Sequence, residues 1–192
     1  RRSQDIAYRP ACEGCHECKS VRIPVILFKE TKTQKRILSK NKDIIFEIKP
    51  NIATKEQYSL IVNYINSRHF DGGMAGITFH EYRDMVESSP VSTVIIEYRL
   101  PDGTLVGAAL TDQMQDSLSM VYSFFDVSPP MIRRSLGVFI VLNHINIAKS
   151  RNLDHIYLGY FVKDSPKMSY KRNFQPLEIL TSNGWKLLNK LN

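Results

Sequence analysis

The segment VRIPVILF, residues 21–28, opens with alternating apolar and polar positions and is rich in β-branched side chains. That is the period of a strand with one covered face, and Pro24, which has no N–H to give a neighbour, places it at a sheet edge. IIFEIK at 44–49 predicts a second strand. The period then lengthens. In TKEQYSLIVNYINSRHF, Tyr58, Ile61, Val62 and Ile65 share one helical face, and Thr54 and Gln57 stand at the spacing of a reciprocal N-terminal cap. TFHEYRDMVES repeats the device with Thr78 and Glu81, after the glycine-rich connection HFDGGMAG.

Three strands follow, at 93–100, 104–112 and 117–126, the first two joined by the turn Pro101-Asp102-Gly103. Residues 134–151 are apolar around most of a helical circumference, which suits a helix laid on a sheet. HIYLGYFV at 155–162 is a further strand, and Ser165-Pro166 opens a short helix as N-cap and first residue. Residues 177–181 and the segment after Asn183-Gly184 form a closing hairpin. The order β-β-α-α-β-β-β-α-β-α-β predicts an α+β fold, a mixed and mostly antiparallel sheet with flanking helices.

A hydrophobic content of 43% is enough for a packed core, so 192 residues make one domain with an appendage. The division expected is a cysteine-containing segment and basic arm over 1–50, packed on a main domain over 51–192. No apolar run is long enough to span a membrane and no signal peptide is visible; three cysteines, an odd number that disfavours a disulfide framework, point to the cytoplasm. The chain begins at Arg1 rather than Met, so residues upstream are expected to be missing. A net charge of +7 favours an anionic partner such as nucleic acid. The excess gathers in FKETKTQKRILSKNK, which holds Lys29, Lys32, Lys35, Arg36, Lys40 and Lys42. That stretch reads either as a solvated face or as a phosphate-contacting arm.

All three cysteines, Cys12, Cys15 and Cys18, lie in ACEGCHECK. An odd number disfavours a closed disulfide framework, and C-x2-C-x2-C puts three thiolates on one tight loop within reach of a shared metal. A closed zinc site or iron–sulfur cluster needs a fourth ligand. His16, one residue after Cys15, points away from the common centre, which leaves an upstream residue to complete the set. Three free thiols are the plainer alternative, and zinc and iron–sulfur are not separated by spacing.

Three antiparallel strands, a helix and a further strand resemble the GNAT-like, acyl-CoA N-acyltransferase fold. There a helix N-terminus after a central strand binds the donor's phosphates, because its first turn has unpaired N–H groups and a partial positive charge. The matching segment here is FFDVSPPMIRRSLGVF, which sets Arg133, Arg134, Ser135 and Gly137 around an anion; ordinary surface arginines are the alternative reading.

Four stretches in order then resemble one family: RRSQDIAYRPACEGCHECKSVRIPV, RHFDGGMAG, VYSFFDVSPPMIRRSLG and YLGYFVKDSPKMSYKRNFQPLEIL. Together they are similar to the bacterial arginyl-tRNA–protein transferase family, from Arg1 to about Ile179. The resemblance implies an aminoacyl-tRNA donor and a protein N-terminus as acceptor, with leucine moved to N-terminal Asp or Glu in the N-degron pathway. Transfer of arginine to the same acceptors, coenzyme A-dependent N-acetylation and non-catalytic RNA binding are the alternatives. Members begin with a further cysteine-bearing segment that is absent here, and related eukaryotic enzymes bind zinc or an iron–sulfur cluster through cysteines of this region. Members often carry a cysteine where this chain has Ser165, which excludes a thiol nucleophile at that place.

Attack of an α-amine on an aminoacyl ester requires no cofactor: the enzyme must position the amine, keep it unprotonated and stabilise an oxyanion. Asp126 is the first candidate base, Asp71 the second and Asp112 a distant third; each is equally suited to a cap or turn. An acidic acceptor needs a cation. Lys167 and Lys171, four apart with Tyr170 between them, would project from one side of the short helix toward the acceptor or the tRNA phosphates. Arg9, Lys19 and Arg22 are the other candidates. Tyr122 and Phe124 face one way along their strand and Phe125 the other; the first pair offers stacking for a terminal adenine, with core packing as the competing use.

Overall fold

A computed structural model describes residues 2–68 and 72–188. A short antiparallel pair, β1 (Arg2–Ser3) and β2 (Ile6–Ala7), is followed by β3 (Lys19–Pro24), α1 (Lys32–Lys40), β4 (Ile45–Pro50), α2 (Lys55–Arg68) and α3 (Phe79–Glu87). Then come β5 (Thr93–Arg99), β6 (Leu105–Gln113), β7 (Ser117–Phe125), α4 (Pro129–Ile132), α5 (Leu136–Ser150), β8 (His155–Phe161), β9 (Glu178–Thr181) and β10 (Gly184–Leu187). Single 3-10 segments stand at Val25–Leu27 and Ser169–Asn173. No helix among the described residues is long and apolar enough to cross a membrane.

Helix starts are set by side chains that satisfy otherwise unpaired amides. Thr54 accepts from Gln57 N–H at 3.2 Å while Gln57 accepts from Thr54 N–H at 3.0 Å, and Thr78 with Glu81 does the same. Thr31 and Gln34 make a third such box and start α1, where the sequence pattern showed only a run of charge. Its side chains Ile37 and Leu38 pack on the core.

Eight strands form one sheet in the order β10-β9-β3-β8-β7-β6-β5-β4. All neighbours are antiparallel except β7 and β8, which are parallel. Placing β3 at an edge is therefore corrected: it hydrogen-bonds β8 on one side and β9 on the other, and Pro24 is tolerated as its last residue. β3 and β4, which both lie within residues 1–50, belong to the same sheet as the strands that follow. α5 covers one face, burying Leu118, Phe139, Ile140, Ile145 and Ile156; α2 and α3 cover the other, burying Ile61, Ile65, Tyr82, Ile95 and Phe124.

Two features shape the middle of the sheet. β7 and β8 pair only at Ser117–His155, Leu118–Ile156 and Ser119–Tyr157, although the strands continue to Phe125 and Phe161. The β6–β7 register also shifts between Leu110 and Thr111, whose partners are Tyr122 and Met120; the extra residue, Val121, is a bulge that bends β7. Beyond Ser119 the two strands diverge. The helix expected at 134–151 runs from Leu136 to Ser150 as α5; Ser135, its N-cap, takes left-handed backbone angles, φ 56° and ψ 45°, and separates it from α4.

Candidate active site

The gap between the diverging strands is a cavity of about 600 Å³. β7 supplies Met120, Tyr122, Ser123 and Phe125 to its wall, and β8 supplies Leu158. The end of α2 adds Tyr64 and Arg68, and the start of α5 adds Ser135, Leu136, Gly137 and Val141. Pro166, Lys167, Tyr170 and Lys171 close the remaining side. Of the residues singled out in the sequence, Ser135, Gly137, Lys167, Tyr170, Lys171 and Tyr122 all line this one cavity. Ser135 caps α5 without a side-chain hydrogen bond; its carbonyl accepts from the Val138 and Phe139 amides, which leaves those of Leu136 and Gly137 without an acceptor in the helix.

The electrostatics of this wall are one-sided. Its described lining contains Arg68, Lys167 and Lys171 but no Asp, Glu or His. Burial holds the Tyr64 phenol above its ordinary range, and burial together with neighbouring Tyr64 pushes Tyr122 up to about 12. Both phenols therefore keep their protons at neutral pH and serve as hydrogen-bond donors rather than bases. Phe125 packs on Tyr64 with ring centroids 4.9 Å apart.

Other expected residues are placed elsewhere. Arg134 is an anchor: its guanidinium pairs with Asp43 and donates to Asn41 Oδ1 at 2.9 Å. Arg133 is exposed, and its carbonyl accepts from Lys40 Nζ at 2.6 Å. Arg22 pairs with Glu178 at 2.6 Å and lies 4.3 Å from the centre of the Trp185 ring. Lys19 is half-buried on β3, and Arg9 is exposed before the cysteine loop. Phe124 is fully buried among Tyr82, Ile61 and Leu110, so its stacking role is corrected to core packing.

Asp126 does not line the cavity; its carboxylate accepts from Ser128 N–H at 2.7 Å and shapes the turn into α4. Asp112 is clamped by Arg2, with contacts of 2.6 and 2.8 Å. Asp71 lies outside the described residues. Lys167 and Lys171 do not share a helix face as expected, because Ser165-Pro166 begins a turn and the 3-10 segment starts only at Ser169. Lys171 is instead buried, its ammonium bonded to the Tyr160 carbonyl.

Cys12, Cys15 and Cys18 are exposed thiols. Cys15 N–H turns back to the Cys12 carbonyl at 3.3 Å, helped by Gly14 at φ 67°, but the three sulfurs are not gathered into a ligand set. Among the described residues the grouped potential ligands are Asp116, Asp154 and His155, at the opposite end of β7 and β8 from the cavity; exposed acidic groups of this kind are common without a metal. The site residues that sequence reasoning missed are Tyr64 and Arg68. Their four-residue spacing at the end of α2, beside a glycine-rich connection, was the available signal.

This geometry can be set against known proteins. L-PGS from Bacillus licheniformis superposes with a TM-score of 0.55 at 13% identity, over 80% of this chain and 48% of that one. FemX superposes with a TM-score of 0.57 at 6% identity, over 79% and 55%. At such identities the likeness establishes the GNAT-like acyltransferase fold alone. Sequence relatives are much nearer. Aspartate/glutamate leucyltransferases from Parvibaculum lavamentivorans and Rhizobium leguminosarum bv. trifolii are each 50% identical over 97% of this chain, which spans 76% and 75% of their lengths. Residues 1–36 match the family described as arginine-tRNA-protein transferase, N terminus, and residues 56–181 match its C-terminus. The chain belongs to the arginine-tRNA-protein transferase family.

Proposed function

We propose that the cavity receives the aminoacyl end of leucyl-tRNA and that the protein moves the leucyl group to the α-amine of proteins beginning with Asp or Glu. The observation that carries this reading is the wall itself, apolar and cationic with no carboxylate among its described residues. A leucyl side chain sheds water against Met120, Leu136, Val141 and Leu158, a gain of about 1.5–3 kcal/mol for full burial. An arginyl side chain would bring one more positive charge beside Arg68, Lys167 and Lys171, with no carboxylate among the described lining residues to neutralise it. The wall therefore favours leucine as the group transferred.

The same cations help the nucleophile. An α-amine has a pKa of about 8 in water, and nearby positive charges disfavour its ammonium form. The neutral amine attacks the ester carbonyl; the C–N bond forms, the C–O bond to the ribose breaks, and the amine proton ends on the departing ribose oxygen. Tyr64 and Tyr122 donate hydrogen bonds to the oxyanion, and the cations hold the acceptor's acidic side chain. The ester is already activated, so no resident cofactor and no covalent enzyme intermediate is needed. A zinc ion or iron–sulfur cluster on the cysteine loop, completed by a fourth ligand, would act by ordering that loop.

The test is transfer of labelled leucine or arginine from charged tRNA to peptides beginning with Asp, Glu or Ala. Leucine should pass to Asp and Glu peptides only. No transfer to any peptide would overturn the reading, and equal transfer of arginine would overturn its donor half.

A further inference from the structure

α1 joins the two lips of the cavity. At one end, Gln34 Nε2 donates to the carbonyl of Asn173 at 2.8 Å, at the end of the 3-10 segment that carries Lys171. At the other, Asn41 Nδ2 donates to the Arg134 carbonyl at 2.9 Å and Lys40 donates to that of Arg133, beside cavity-lining Ser135. The nine-residue helix is about 13 Å long, a span of several phosphate steps.

Its outer surface is basic. Lys29, Lys32, Lys35, Arg36, Lys40 and Lys42 are all exposed, and among the described residues none forms an ion pair with a carboxylate. The nearby acids are already engaged, Glu30 by Lys149 and Asp43 by Arg134. Of these cations Lys40, in the last turn, suits the dipole of the helix. Its first turn holds Lys32 and Lys35 with no acidic residue, against the preference of a positive N-terminus for anions. Six exposed cations on and beside a rod tied to both lips suit an extended anion that ends in the cavity.

We infer that α1 and the lysine preceding it are the docking surface for the acceptor-stem phosphates of the tRNA whose aminoacyl end enters the cavity. This rests on the aminoacyl-tRNA reading of the cavity and adds where the body of the carrier lies. Contacts to phosphates are independent of base sequence, so the surface grips the carrier while the cavity reads the amino acid.

The experiment replaces Lys29, Lys32, Lys35 and Arg36 together by Gln, leaving Lys40 and its bond to the lip in place. Uncharged tRNA is the first probe, because its binding is measured whether or not leucine is transferred. Kd should rise at least tenfold at physiological salt, and the slope of log affinity against log salt should become shallower by about 3. Transfer from leucyl-tRNA should show a raised KM with kcat within twofold, and transfer from the short donor leucyladenosine should be unchanged. Unchanged tRNA affinity and salt slope would overturn the inference. So would equal loss with leucyladenosine, which would make α1 a prop for the cavity. Failure of the wild-type protein to transfer leucine, with the binding effect intact, would count against the reading of the cavity alone.

Discussion

The two ends of the β7–β8 pair are made from the same strands and the same covering helix, yet do opposite things. At the closed end, Leu118 and Ile156 are sealed in the core with Ile145. His144 there is fully buried: its Nδ1–H donates to the Ile140 carbonyl at 2.8 Å, and its Nε2, 2.9 Å from Thr111 Oγ1, accepts from that hydroxyl. At the open end the bulge at Val121 turns β7 away, the ladder stops, and α5 presents Ser135, Leu136 and Gly137 to a cavity. The difference teaches that the site is made by ending a ladder early, with the closed end holding the two walls at a fixed separation.

The largest effect is expected where the core beneath the site is opened. Phe124→Ala should cost about 3–5 kcal/mol in urea unfolding, because the ring is fully buried. Tyr122→Phe, two residues away at the cavity wall, should cost far less stability and show its effect in transfer. Equal stability losses would erase the distinction between the two positions.

Acid should find the closed end next. Burial holds His144 down to about 4, against about 6.5 in the unfolded chain. Between those values the unfolded chain takes up a proton that the folded one refuses. Stability present above pH 6.5 is therefore lost as pH falls toward 4, by about 3 kcal/mol in all. Burial raises the Glu97 carboxyl, but hydrogen bonds from Lys49, Gln57 and Arg99 outweigh it and leave the group below its usual range. Its contribution falls away only below about pH 4.3, so the two windows separate. Stability measured from pH 7 to 4.5 should slope in the wild type and be flat in His144→Phe.

The smallest change in stability, with a clear change in rate, is expected at the open end. A Cβ on Gly137 would lie 2.9 Å from ring atoms of Phe125, which line the cavity. Gly137→Ala should stay within about 1 kcal/mol of wild type, since helix propensity offsets crowding, while transfer falls about tenfold as the ring is driven inward. Adding Phe125→Leu should restore transfer. Without that rescue, the ring is not what the alanine displaces.

Period and capping residues made most of the sheet legible, because β5, β6, β7 and β8 each bury a face and announce it. α1 was not legible as a helix: Ile37 and Leu38 are too few to stand out among six cations, although Thr31 and Gln34 were in plain view. The break before α5 was hidden because a serine carries the left-handed angles, where glycine would have signalled them. At the site, the helix start and the Lys167–Lys171 segment could be read from sequence, but Leu136, Val141 and Leu158 look the same whether they face a core or a cavity. The arginines were the hardest. Arg134 is held by Asp43, a carboxylate brought from far along the chain, whereas Arg68 lines the cavity, and composition records neither.

β3 also constrains how the chain can be made. The strand lies between β8 and β9, and β9 meets it through Val21–Ile179 and Arg22–Glu178. β3 is synthesised well before β8 and β9, so its edges must wait for both, a slow closure between segments far apart in the chain. Without β3, the β9–β10 hairpin would have no strand to dock on. Removing the one should thus unmake the seat of the other.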